Sequence, residues 1–166
     1  ARSIEISNNT LHDIQKNGIS VSGTNLNATI DGNTVIGLGA TGSIAGNGIQ
    51  VSSGAGGVVS NNFITGYDYI PAPPPAIQYV STGMLIYDAA DGIQILNNVV
   101  NGSDVNIYVY LVDNALVQGN KTTGGEYGIG VYQSNNAGLF YNDISGAELT
   151  GVDVWNSTGV LVNYNK

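Results

Sequence analysis

Ile93-Gln94-Ile95-Leu96-Asn97-Asn98 alternates apolar and polar residues and then closes on a pair of asparagines. Alternation of period two is the mark of a short strand with one face buried. The same apolar-x-apolar-x-x-Asn pattern recurs along the chain. It reads Ile4-Glu5-Ile6-Ser7-Asn8-Asn9, Ala28-Thr29-Ile30-Asp31-Gly32-Asn33 and Gly57-Val58-Val59-Ser60-Asn61-Asn62, and returns at 115–120, 137–142 and 160–165. Successive terminal asparagines are 24, 29, 36, 22, 22 and 23 residues apart. A second segment lies between these copies: Gly18-Ile19-Ser20-Val21, Gly48-Ile49-Gln50-Val51, Gly83-Met84-Leu85-Ile86, Asn106-Ile107-Tyr108-Val109, Gly128-Ile129-Gly130-Val131 and Gly151-Val152-Asp153-Val154. From its last apolar residue to the next terminal asparagine is always 11 or 12 residues.

Two registers held over six coils describe a solenoid, in which each turn buries its apolar face against the next. The interior columns follow directly. One is Ile6, Ile30, Val59, Ile95, Val117, Leu139 and Val162; the other is Val21, Val51, Ile86, Val109, Val131 and Val154. Asn9, Asn33, Asn62, Asn98, Asn120, Asn142 and Asn165 form a third column. Asparagine tolerates the left-handed backbone of a tight corner, so these residues are expected to turn the chain themselves. Stacked at the strand spacing of about 4.8 Å, their amides should bond one another as a ladder.

These repeats resemble the right-handed parallel β-helix proteins, the superfamily of pectate lyases, polygalacturonases, alginate epimerases and phage tailspikes. The resemblance covers the whole chain. It implies an all-β fold, a right-handed parallel β-helix of about seven coils with an asparagine ladder, as one domain over residues 1–166. It does not by itself imply an activity, because the fold carries many.

Composition narrows the choice. Net charge is −8, and the four basic residues, Arg2, Lys16, Lys121 and Lys166, are scattered. That pattern excludes electrostatic capture of nucleic acid. No apolar run approaches the 18 or so residues of a membrane span. With no cysteine there is neither a disulfide nor thiol chemistry. An extracellular or cell-surface location is expected. A lyase needs a basic residue beside a uronate and cations to neutralise its carboxylate; only Lys121 lies in the central coils. Hydrolysis in the polygalacturonase manner needs clustered aspartates with a histidine and an arginine, whereas the single histidine, His12, has only Asp13 beside it. The epimerase-type Asp-Pro-His motif is absent. No catalytic residue is assigned and no cofactor is expected; a polysaccharide lyase, hydrolase or epimerase stays the alternative to a non-catalytic module.

Binding residues are sought where the coils depart from the repeat. The chain between the asparagine and the second strand is lengthened twice, giving insertions at 37–47 and 67–81 that leave the same edge of neighbouring coils and should touch. The longer insertion holds Tyr67, Tyr69, Tyr79 and all four prolines, which make a stiff, extended rim suited to a ligand or to shielding apolar surface. The position after the second strand becomes aromatic in consecutive coils, as Tyr87, Tyr110, Tyr132 and Trp155. Such a column would face outward and suit sugar rings or a protein partner, or pack locally for stability. Asp88, Asp91 and Asp113 follow in adjacent coils. Asp88 and Asp113 are weak calcium candidates; an ordinary solvated acidic face is the competing reading. The expected partners are polysaccharide or further β-helix coils. Core strands begin at Ile4 and the ladder reaches Asn165. Bare solenoid ends template stacking, so the sequence is expected to be a segment of a longer β-helix or a subunit of a fibre.

Overall fold

A computed structural model describes residues 2–71 and 79–166. Among these residues, nineteen strands form three parallel sheets of seven, six and six strands, with strands from successive coils as neighbours in every sheet. The first sheet contains the ladder segments, from Arg2–Ser7 and Leu26–Asp31 through Gln94–Leu96 to Leu161–Asn163. Its register pairs Ile6 with Ile30, Ile30 with Val59, Val59 with Ile95, and so on to Leu139 with Val162. The third sheet runs from Asn17–Ser22 through Val105–Tyr110 to Thr150–Trp155 and stacks Val21, Val51, Ile86, Val109, Val131 and Val154. Both columns therefore match the sequence pattern residue for residue. From Ile30 to Leu139 and from Val21 to Val131 their members are almost completely buried and belong to one continuous core.

A sheet not expected from the sequence lies between these two. Its six strands start one residue after each ladder asparagine from Asn9 to Asn142, running from Thr10–Ile14 and Thr34–Gly37 through Val99–Asn101 to Asp143–Ser145. Each turns one central side chain inward. Val35, Ile64 and Val100 are fully buried, and Thr122 takes the same place among them.

The ladder is complete. Each asparagine Nδ2 donates to the Oδ1 of the next, at 2.8–3.0 Å from Asn9 to Asn165. The backbone N–H of each also donates to that Oδ1, and from Asn33 onward Nδ2 reaches back to a strand carbonyl of the preceding coil, as from Asn98 to Val59 at 2.9 Å. Such bonds satisfy the polar groups of a buried corner that water cannot reach. One expectation is corrected. The left-handed residue at this corner is the one before the ladder asparagine: Asn8, Gly32, Asn61, Asn97, Gly119, Tyr141 and Tyr164 all have φ between 53° and 68°. The ladder amide must point inward to stack, so the preceding residue makes the turn.

The two insertions meet. Thr41 forms a parallel bridge with Tyr69; its N–H donates to the Asp68 carbonyl at 3.0 Å, and the Ile70 N–H donates to the Thr41 carbonyl at 2.9 Å. Among the described residues, no helix is long and apolar enough to cross a membrane.

Candidate functional site

On each strand of the third sheet, the residues flanking the inward valine or isoleucine point outward. Two outward rows result: Ser20, Gln50, Leu85, Tyr108, Gly130, Asp153, and Ser22, Ser52, Tyr87, Tyr110, Tyr132, Trp155. The early coils are polar here and linked by amide bonds, as from Asn17 Nδ2 to Gln50 Oε1 at 3.1 Å. The later coils are aromatic. The expected aromatic column is present in register, but its rings do not stack one on the next throughout. Tyr87 and Tyr110 lie 5.4 Å apart between centroids, tilted by 41°. Tyr108, which the sequence reading left out, is stacked on Tyr110 at 5.8 Å and meets Tyr132 edge-on at 5.1 Å. Tyr132 and Trp155 are 5.8 Å apart. Edge and tilted contacts are the favoured geometries for aromatic quadrupoles. The result is a tiled surface of five rings, with Tyr87 and Trp155 at its ends, 40% and 54% exposed.

The tiles are anchored by polar contacts. The Tyr132 hydroxyl donates a hydrogen bond to the Asp153 carboxylate. Burial, reinforced by this carboxylate, raises the Tyr132 phenol well above its ordinary range. Burial, then the neighbouring Tyr110 and Asp153, pushes Tyr108 up to about 12. Both rings therefore present neutral hydroxyls at any physiological pH.

Gly130 interrupts the outward row between Tyr108 and Asp153. The Tyr108 ring lies over it, 3.1 Å from where a Gly130 Cβ would stand, and beside them is a depression of about 330 Å³ bounded by Val105, Tyr108, Glu126, Tyr127, Tyr132 and Leu149. Around the corner lies a second depression, of about 580 Å³, lined by Asp68, Tyr69, Tyr79, Asp104, Glu126 and Glu148 among others. Glu126 borders both. Sequence reasoning missed this cleft, although Asp104, Glu126 and Glu148 fall one coil period apart.

Asp104 explains how the long insertion is held. It is 6% exposed, and its two carboxylate oxygens accept backbone N–H bonds from Tyr69 at 3.0 Å and Ser81 at 2.7 Å, near the two ends of the insertion. Burial, helped by the Asp68 carboxyl and opposed by the two backbone bonds, pushes Asp104 up to about 7. A carboxylate whose oxygens are both taken by backbone amides acts here as a clasp, not as a free acid or base.

A stability effect follows from the sign of this shift. The folded protein binds the Asp104 proton more tightly than the unfolded chain, so this group's contribution falls as pH rises from about 4 to about 7 and is flat above. Asp68→Asn removes the charge that opposes Asp104 ionisation. Its melting temperature should fall less steeply than wild type between pH 4 and 7, by a few degrees over the window. Thermal scans of both proteins across that range measure the difference.

The other expected site residues are separated by the fold. Tyr69 and Tyr79 line the acidic cleft, and Tyr79 is 60% exposed. Tyr67 is not a rim residue: it is 2% exposed, and among the described residues its hydroxyl has no hydrogen-bond partner. Its ring fills a socket left by glycines. A Cβ at Gly37, Gly46 or Gly48 would lie 3.2 Å from the ring, and one at Gly18 3.0 Å from the hydroxyl oxygen. Burial pushes this phenol up to about 12. Residues 72–78 of the same insertion, with three of its prolines, lie outside the described residues.

Asp88 and Asp113 do not form a pair. Asp88 sits at the left-handed corner in line with Leu111, its N–H bonded to the Tyr110 carbonyl at 3.0 Å. Asp113 belongs to another row, where its N–H reaches Asp91 at 3.3 Å and its carboxylate accepts the Asn135 N–H at 2.7 Å. Among the described residues, no three His, Cys, Asp or Glu side chains are gathered as a metal site.

Comparison with curated proteins and with solved structures returns no match. A family model described as a right handed beta helix region matches residues 1–166. That span takes in all three parallel sheets, the ladder and both insertions, and the chain belongs to the right-handed β-helix family.

Proposed function

We propose that this β-helix is a non-catalytic, carbohydrate-binding module of a secreted or surface protein, and that its ligand lies along the aromatic tiles of the third sheet. The observation that carries the reading is the five-ring surface from Tyr87 to Trp155, set on a rigid parallel sheet and turned away from the core. Tyrosine and tryptophan join an apolar face to a polar tip, which suits the apolar faces and hydroxyls of pyranose rings. A scaffold built from strands holds such groups more firmly than a loop does. Enzymatic turnover is disfavoured because the Asp104 carboxylate oxygens are engaged by backbone amides, and the basic residues stand away from both depressions.

A glycan array followed by calorimetry tests the proposal. Tyr110→Ser combined with Tyr132→Ser should weaken binding of the best ligand at least tenfold, about 1.4 kcal/mol, with the circular dichroism spectrum unchanged. Full-strength binding by that variant would make the tiles purely structural.

A further inference from the structure

We infer that the depression bounded by Tyr108, Tyr127 and Leu149 is the seat of an acetamido group, so that the sugar taken by this module is an N-acetylhexosamine in a neutral chain. The inference rests on the carbohydrate-binding reading above and adds the class of the sugar.

A sugar bearing only hydroxyls asks for a ring face and hydrogen bonds. The tiles supply the ring face. The depression beside Gly130 offers more. Its walls combine the aliphatic side chains of Val80, Val105 and Leu149 with tyrosine rings, and Glu126 is the one charged side chain on its described walls. At about 330 Å³ it lies at the small end of ligand pockets, roughly 300–1,000 Å³, which suits one substituted ring. Leu149 is 64% exposed, so a methyl group seated on it would remove aliphatic surface from water.

An acetamido group has three parts: an N–H donor, a carbonyl acceptor and a methyl. Each finds its complement here. The Glu126 carboxylate accepts the N–H in a charge-assisted hydrogen bond; neither ion pair among the described residues involves it. The Tyr132 proton is committed to Asp153, which leaves Tyr108 and Tyr127 as hydroxyl donors to the carbonyl. Leu149 and Val105 receive the methyl. The Leu149 N–H donates to the Glu126 carbonyl at 2.9 Å, so the acceptor and the apolar wall stand on adjacent coils, about 4.8 Å apart along the axis. One acetamido group can touch both.

Other substituents satisfy only part of this set. A uronate carboxylate would approach Glu126 and Asp153 with no basic residue on the walls. A hydroxyl would bond Glu126 and leave the aliphatic wall wet. An ammonium would pair with Glu126, but it would bring a hydrated charge against Val105 and Leu149.

Trp155 lies 5.8 Å from Tyr132 and reports occupancy by fluorescence. The test titrates the full chain with β-linked oligomers of equal length, of N-acetylglucosamine, glucose and glucosamine, at high salt to screen attraction between surface charges. The acetylated oligomer should bind at least tenfold tighter than either of the others. Leu149→Ser and Glu126→Gln should each weaken the acetylated oligomer roughly fivefold or more and leave the glucose oligomer's affinity and the circular dichroism spectrum unchanged. Equal binding of the acetylated and glucose oligomers, or tighter binding of glucosamine, would overturn this inference and leave carbohydrate binding standing. A full preference for the acetylated oligomer retained by either variant would also overturn it, because the acetamido group would then sit elsewhere. Failure of every sugar would take the carbohydrate reading with it.

Discussion

Asn98→Leu is expected to lower the melting temperature by on the order of 10 °C. Asn98 is fully buried at the middle of the ladder. Its Oδ1 accepts both the backbone N–H and the Nδ2 of Asn62, at 2.9 and 3.0 Å, while its Nδ2 donates to Asn120 and to the Val59 carbonyl, both at 2.9 Å. Leucine keeps the branching and heavy-atom count of the side chain but makes none of these bonds. The Asn62 Nδ2 keeps its bond to Ile30, and the Asn120 Oδ1 keeps the Asn98 N–H. The Asn62 N–H is left without a partner in a dry corner, while the Val59 carbonyl keeps its place in the strand ladder. The orphaned donor costs about 1–3 kcal/mol and each lost bond about 1 kcal/mol, so the total is about 3 kcal/mol or more. Asn9→Leu, at an exposed step of the same ladder, should cost far less. Calorimetry on both variants checks the contrast; equal small losses would show that the ladder contributes little.

Gly57→Ala is expected to be comparably damaging, and Gly23→Ala is its control. Both glycines have a backbone closed to other residues, with φ at +121° and +128°. A Cβ at Gly23 would meet nothing within 4 Å, whereas one at Gly57 would sit 2.0 Å from the Ala28 carbonyl oxygen and 2.7 Å from the Ala28 nitrogen. Ala28 is the partner of Gly57 across the first sheet, so the neighbouring strand cannot retreat without losing its ladder bonds. Backbone strain alone costs about 1–3 kcal/mol. The clash should add enough that Gly57→Ala melts several degrees below Gly23→Ala. Indistinguishable midpoints would show that the strands can separate locally.

The parts of this fold legible in the sequence are those that repeat with both period and burial. The valine and isoleucine columns and the asparagine row could be read to the residue, because a slip of one would turn every core side chain to solvent. The second sheet escaped notice because most of its strands are three residues long, too short to show alternation. Its signal was a single apolar residue two places after each ladder asparagine, as in Leu11, Val35, Ile64, Val100 and Ile144, and it was broken by Thr122. The aromatic row was legible because register carries it; Tyr108 was passed over although its alternation matches that of Tyr110. Tyr67 misled because a tyrosine opening a proline-rich insertion reads as exposed. Its burial is decided by glycines at 18, 37, 46 and 48, whose convergence no local pattern shows. The acidic cleft depends in the same way on the insertion bringing Asp68 to Asp104.

The socket of Tyr67 sets the boundaries for anyone wishing to transplant a new loop into this rod. An insertion is commonly treated as an appendage that can be exchanged at the points where it leaves the scaffold. Here its first residue is part of the hydrophobic interior, and its closing residues are tied by Ser81 to Asp104. A graft cut at the obvious junction would remove the plug and leave four glycines facing a void. A graft that keeps Tyr67 to Tyr69 and resumes at Ser81 retains both the plug and the clasp. The interchangeable segment is therefore shorter than the apparent loop, and a library built within it would vary the rim of the cleft while inheriting the interior unchanged.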